Sequence, residues 1–182
     1  MTEPGDLLED IGSRGAWSVS SAKPGFGVEH LRDNDTETFW QSEGSQPHLI
    51  NVQFSKKQSI SEVWIYVDIR VDDSYTPHKI SIRAGTFHGD LHEVKWVELQ
   101  QAKGWQAMVL TGPAGSPDEG PTKRTSQPIR AHLIQIAIIS NHMNGKDTHV
   151  RGVRVYAPKP LDLEDDLIPF RTVAFTQHET IR

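Results

Sequence analysis

The chain has 182 residues, 36% of them hydrophobic and 24% charged, with a formal net charge of -5. That size supports one globular domain with tails, and the acidic balance without any long block of Lys/Arg speaks against nucleic acid as a partner. Zero cysteines exclude disulfides, cysteine-ligated zinc and every thiol nucleophile, and fit a reducing compartment.

The opening segment, residues 1–11, is acidic and has neither a basic nor an apolar leader-like stretch, so it reads as a flexible N-terminal extension of a soluble, unsecreted protein. The longest apolar runs are far shorter than a membrane span, and no membrane partner is expected. The first turn signal is KPGF at 23–26 with Gly27 behind it. Val28–Asp33 and Asp35–Phe39 are the two stretches with helical character, each too short to build a helical layer.

A second turn signal, Glu43-Gly44-Ser45, precedes a run that alternates in period two: Ile50, Val52 and Phe54 against Asn51 and Gln53. Val63–Val67 is denser in β-branched residues, as a strand covered on both faces requires. Ile80 and Ile82 alternate with Ser81 and Arg83. In EVKWVEL the phase slips, with Val94 and Trp96 on one face and Val97 and Leu99 on the other, which predicts a β-bulge near Trp96.

Trp105–Leu110 is the next strand, followed by the Gly- and Pro-rich stretch 112–128, read as a surface loop. Leu133–Ile139 is a central strand, and Val153–Tyr156 completes the set. The class is all-β, and a jelly-roll β-sandwich is the expected architecture, with the domain at 12–158 and a C-terminal tail at 159–182.

Candidate sites begin with the turn that carries Asp33, Asp35, Thr38 and Trp40. Polar groups of such a turn satisfy backbone amides, and hard oxygens of this kind also suit calcium; the arrangement resembles discoidin-like sandwiches, which implies that the Trp plugs the core. The segment from Asn141 to Arg151, NHMNGKDTHVR, is the densest polar cluster and follows a very apolar strand. It reads either as a solvated hairpin with Asn144-Gly145 at its tip or as a binding loop at a strand end. His142, Asp147 and His149 lack the number and spacing of a metal set, so no metal and no cofactor are expected.

Ser74, His78 and Asp72 or Asp73 lie close in sequence as a hydrolase triad would need, without a nucleophile-elbow motif to support it. Tyr75 is amphipathic, suited to an interface or to burial. The terminal Ile181-Arg182 presents an apolar side chain, a guanidinium and a carboxylate, the ingredients for capture in a groove that reads a C-terminus.

Together, WSVSSAKPGFGVEHLRDNDTETFWQSEGSQPH, DDSYTPHKISIR, LIQIAIISNHMNGKDTHVRGVRVY and the terminal IR resemble the DOC-domain subunits of the anaphase-promoting complex, over Gly12–Tyr156 and the final dipeptide. The resemblance implies a galactose-binding-like (discoidin-like) sandwich that catalyses nothing itself and serves a RING-type ubiquitin ligase in mitotic cell-cycle control, in nucleus and cytoplasm.

It implies a co-receptor for destruction-box degrons of cyclins and similar substrates, acting with a β-propeller coactivator. It assigns degron binding to Asn141, His142, Asn144, Gly145, Asp147, Thr148 and His149, and docking on a tetratricopeptide-repeat scaffold to Ile181 and Arg182. A large scaffold subunit is a further implied partner. The departures are Glu43 where the family has Asp, the stretch 112–128, and Leu161–Thr180. The second reading, on the shared fold, is a carbohydrate-binding module.

Overall fold

The computed structural model describes residues 7–110 and 127–159. Eleven strands follow in chain order: β1 (Leu8–Asp10), β2 (Gly15–Val19), β3 (Trp40–Gln41), β4 (His48–Ile60), β5 (Glu62–Asp68), β6 (Pro77–Gly85), β7 (His92–Glu98), β8 (Lys103–Val109), β9 (Ile129–Asn141), β10 (His149–Val150) and β11 (Gly152–Pro158). All paired strands are antiparallel. A five-stranded sheet, β2-β4-β9-β6-β7, and a four-stranded sheet, β1-β11-β5-β8, form the sandwich, and β3 and β10 pair as a short ribbon.

The alternation read from the sequence becomes the core. Ile50, Val52 and Phe54 from β4, Ile80 and Ile82 from β6, and Ile134, Ile136 and Ile138 from β9 face Val63, Ile65 and Val67 from β5 and Val153 and Val155 from β11. Register is what brings them together: Ile50 lies opposite Ile136, and Ile136 opposite Ile82. The face of the large sheet turned away from the core carries a hydrogen-bonded ladder instead. Asn51 Nδ2 donates to Ser18 Oγ (3.4 Å), Gln135 Nε2 to Asn51 Oδ1 (2.9 Å) and Arg83 Nη1 to Gln135 Oε1 (3.2 Å). Buried Gln135 is therefore satisfied within the sheet.

The phase slip in β7 is a bulge. Ile82 pairs with Lys95 and Arg83 with Glu93, so the extra residue is Val94. The consequence reverses the expected faces: Val94 and Val97 both pack on the core, and Trp96 is turned outward and 44% exposed.

Three further readings are corrected. The sandwich starts before Gly12, because Leu8–Asp10 pairs with β11 and Ile11, fully buried, donates its N–H to Val155 O (2.8 Å). Asp35–Phe39 is not helical, and Val28–Leu31 forms one 3-10 turn. The sequence signal missed a single α-turn, Ile69–Asp72, and the 3-10 turn Asp73–Tyr75 that follows it. Most of the 112–128 stretch and the tail with Ile181 and Arg182 lie outside the described residues.

The end of the sandwich that carries the polar motif

The acidic turn after Leu31 is built by its own side chains. Asp33 Oδ1 accepts from Asp35 N (3.0 Å), Asp35 Oδ1 from Glu37 N (2.9 Å), and Thr38 Oγ1 donates to Asp33 Oδ2 (2.6 Å). Such bonds replace a helix with an Asx-type turn. Trp40 is fully buried behind it and donates Nε1–H to Ser21 O (2.9 Å). Asp33, Asp35, Thr38 and Trp40 thus have the structural roles expected of them. Among the described residues, no group of three or more His, Cys, Asp or Glu side chains is arranged to hold a metal ion.

The turn Ile69–Asp72 opens on Asp68, whose carboxylate accepts from Arg70 N (2.9 Å). Asp73 then adopts φ 49 and ψ -119, a conformation that non-glycine residues rarely take. This pair of turns meets the Asn141–His149 segment directly. His142 N–H donates to Thr76 O (2.9 Å), and a Cβ on Gly145 would collide with Ser74 O. Gly145 has φ -58, so close approach rather than a left-handed backbone demands glycine there.

The hairpin reading of Asn144-Gly145 is therefore overturned. The left-handed residues are Met143 (φ 49) and Asn144 (φ 56), within the turn His142–Asn144, and β10 pairs with β3 instead of returning along β9.

Behind the segment lies a buried ion pair. Asp72 accepts from Arg151 Nη2 (2.7 Å, Oδ1), from Arg151 Nε (2.8 Å, Oδ2) and from His149 Nδ1 (3.0 Å, Oδ1). Arg151 Nη1 donates to Thr36 O (2.9 Å) and Glu37 O (3.2 Å), which ties in the acidic turn. Burial pushes the Asp72 carboxyl up, yet the hydrogen bonds from Arg151 and His149 and their charges outweigh it and hold the group below its ordinary range. The same bonds raise Arg151 against its own desolvation.

The His149 ring is held between Phe39 (centroids 4.2 Å) and Tyr75 (4.3 Å), and Phe26 extends the stack beyond Phe39 (4.9 Å). Asp72 is thus committed to Arg151 and His149, while the His78 ring faces His142 at 4.7 Å. Ser74, His78 and Asp72 do not form the relay that a triad requires.

Most of the predicted site residues hold this end together. Asn141 Nδ2 donates to Gly145 O (3.2 Å) and Asp147 O (2.6 Å), and Thr148, fully buried, donates Oγ1–H to Tyr75 O (3.1 Å). Gly145, Asp147 and His149 are partly buried, whereas Asn144 is exposed to solvent beside Met143 and Lys146.

The described residues contain five buried side-chain polar atoms without a hydrogen-bond partner: His48 Nδ1, Thr76 Oγ1, Asn141 Oδ1, His142 Nε2 and His149 Nε2. All five lie at this end, since His48 bonds Lys146 O through Nε2 (2.6 Å). Such atoms carry a desolvation cost that structural regions avoid, and their concentration marks this end as the candidate site. The proximity of the 69–76 turns, which sequence spacing does not announce, is what the motif alone misses.

Comparison with known proteins agrees on family and fold. The family model described as "Anaphase-promoting complex, subunit 10 (APC10)" matches residues 5–180. The Drosophila melanogaster protein named "Anaphase-promoting complex subunit 10" is 44% identical, over 97% of this chain and 86% of its own length. The Homo sapiens protein of the same name is 41% identical over 96% and 89%.

"Anaphase-promoting complex subunit DOC1" of Saccharomyces cerevisiae is 34% identical over 78% of this chain and 53% of its own. Among solved structures, the family 32 CBM from C. perfringens NanJ in complex with galactose superposes with a TM-score of 0.64 at 16% identity, covering 82% of this chain and 99% of that one. A likeness at that identity establishes the sandwich of this type and nothing about ligands.

Proposed function

The chain belongs to the anaphase-promoting complex subunit 10 family, and on that premise we propose that it is a non-catalytic subunit of that RING-type ubiquitin ligase which recognises destruction-box degrons together with the β-propeller coactivator. The observation that carries this reading is that the seven motif residues, Asn141, His142, Asn144, Gly145, Asp147, Thr148 and His149, gather at one end of the sandwich around an exposed turn. Rigid turns at the end of a sandwich are where such folds place recognition.

The proposed contribution is geometric. A degron already held by the coactivator gains a second, weak contact, and the effective concentration of a tethered site raises apparent affinity without new chemistry. The gain falls on the off-rate, so more ubiquitins are added per encounter. With no cysteine in the chain, neither a thioester relay nor a cysteine-ligated zinc RING can reside here. Ile181 and Arg182 supply the proposed dock on the tetratricopeptide-repeat scaffold, with the large scaffold subunit as a further contact, in the nucleus and cytoplasm.

The test is single-encounter ubiquitination of a cyclin fragment by complexes assembled with and without this chain. Adding the chain should lengthen ubiquitin chains on the fragment and leave unchanged a fragment whose destruction box is scrambled. Equal stimulation of both fragments would overturn degron recognition.

A further inference from the structure

The two outer faces of the sandwich differ in chemistry. An outward-facing sheet surface is ordinarily polar, and the large sheet obeys this with its ladder from Ser18 to Arg83. On the small sheet, Val63, Ile65 and Val67 of β5 and Val153 and Val155 of β11 point into the core, so Trp64, Tyr66, Arg154 and Tyr156 point away from it. Register adds β8 to the same face, with Trp105 opposite Tyr66 and Ala107 opposite Trp64.

These side chains form one built layer. Tyr66 meets the Trp105 ring edge-on (centroids 5.4 Å), and Trp64 meets Tyr156 likewise (5.6 Å). The Arg154 guanidinium, carried by β11, lies 4.5 Å from the Trp105 ring of β8 and so reaches across the intervening β5. A Cβ on Gly152 would come within 2.9 Å of Trp105 Cη2, so glycine leaves room for the indole over the sheet. Trp64 and Tyr156 are each 4% exposed, whereas Tyr66 and Trp105 are half-buried and Ala107 and Val109 are exposed beside them.

The carboxylates of this face are already engaged. Glu62 Oε2 accepts from Trp64 Nε1 (2.6 Å), Asp10 Oδ2 from Arg32 Nη1 (3.2 Å) and Asp68 Oδ1 from Arg70 N (2.9 Å). Arg154 has no carboxylate within ion-pair distance among the described residues, and its Nη1 donates to Tyr156 Oη at 3.5 Å. A guanidinium laid on an indole, with tyrosine on either side, has the composition that carries most of the binding energy at protein interfaces.

We infer that the outer face of the small sheet is a second interaction surface, centred on Trp105 and Arg154, and that it takes a folded neighbouring subunit of the complex through a carboxylate set among aliphatic side chains. The surface lies on the side of the sandwich and includes neither the 69–76 turns nor the 141–149 segment, so it does not depend on the degron-recognition reading. Family membership makes the chain one component of a multisubunit assembly, which supplies folded neighbours. The rings are fixed by one another and by the sheet, so they suit a preformed partner surface. Arg154 is the cation that calls for an anion, and aliphatic side chains beside that anion would cover Ala107 and Val109 and shield the pair from water.

The test uses the complex assembled with the full chain. With Ala107 replaced by the photoactivatable p-benzoylphenylalanine, irradiation should join this chain to another subunit of the complex. Cross-links confined to residues 160–182 of the same chain or to a second copy would overturn the proposal, and so would an incorporated chain that forms none. Arg154→Glu and, separately, Ala107→Arg should weaken binding of the chain to a complex assembled without it by about tenfold or more, as loss of a central interface contact implies. Ala107 is exposed, so Ala107→Arg should leave the melting temperature of the chain unchanged and keep the test open if Arg154→Glu fails to fold. Parental affinity for Ala107→Arg would overturn the surface. Parental affinity for a folded Arg154→Glu beside a weakened Ala107→Arg would overturn the carboxylate assigned to the partner.

Discussion

The His149 ring lies 4.3 Å from that of Tyr75 and 12° from parallel to it, so a partly buried imidazole sets the orientation of a half-exposed phenol. The same imidazole donates Nδ1–H to Asp72, and Asp72 holds Arg151 with both carboxylate oxygens. Presentation of the surface turn is thereby coupled to the integrity of an ion pair beneath it.

Asp72→Ala removes one partner of that pair and leaves the Arg151 guanidinium uncompensated, its side chain only 8% exposed. Loss of one half of a buried pair costs about 3–5 kcal/mol. Chemical denaturation of the isolated chain should show a loss of this size, and Arg151→Met added to Asp72→Ala should recover part of it. No recovery would mean that the acidic turn depends on the Arg151 bonds to Thr36 and Glu37 more than on the pair.

The same carboxylate sets a pH dependence. Its folded-state pKa lies below the unfolded value of about 3.9, so the unfolded chain binds the extra proton between the two. Stability from Asp72 is complete above about pH 5 and is lost as pH falls through the folded value. Asp33 and Asp68 are also lowered, in each case by hydrogen bonds that overcome burial, and act in the same direction. The denaturation midpoint should fall from pH 5 to pH 3, and the Asp72→Ala/Arg151→Met chain should lose less over that interval than the parent.

His142 behaves oppositely in charge type. Burial and the neighbouring His78 both lower its pKa, outweighing a backbone hydrogen bond that raises it. The neutral ring is favoured in the folded state, so its contribution is complete above about pH 6.5 and declines as pH falls toward the folded value. An NMR titration should place His142 below about 6.5, and His78→Gln should bring it nearer to that value. A midpoint above 6.5 would contradict the arrangement of the two rings.

Much of the fold was legible because its strands obey simple periods. Ile50, Val52 and Phe54 alternate, Leu133–Ile139 is apolar apart from Gln135, and the slip in EVKWVEL announced a bulge whose extra residue proved to be Val94. Gly44 and Gly25 marked turns through positive φ. The site was legible only as a cluster of polar letters.

Asp72 lies 77 residues from His149 and 79 from Arg151, so no local pattern foretells their network. The two-residue strands β3 and β10 are too short to carry a period. The glycine that resembled a hairpin tip is required instead by Ser74, which lies far away in the chain.

That glycine gives a direct test of the contact. At Gly145 a methyl group would be driven into the Ser74 carbonyl, a backbone atom that cannot swing aside. Gly145→Ala should therefore separate the two turns or destabilise the chain by about 1–3 kcal/mol, the usual cost of overpacking. Amide exchange at His142, whose N–H bonds Thr76 O, should accelerate while exchange in the centre of β9 stays slow. Unchanged exchange at His142 would show that the turns tolerate the methyl group.

The dipeptide Ile181-Arg182 is tested separately, because it lies outside the described residues. Under the proposed function, the apolar side chain of Ile181 and the guanidinium of Arg182 are the groups a scaffold groove would hold. Deleting Ile181 and Arg182 should leave the melting temperature of the isolated chain unchanged and reduce its recovery with the complex in a pull-down. Extending the chain beyond Arg182 by a few glycines keeps both side chains and displaces the carboxylate, so it separates capture of a C-terminus from capture of an internal motif. Recovery equal to the parent for the extended chain would assign the dock to the side chains, and recovery equal to the parent for the deletion would remove the dipeptide from assembly altogether.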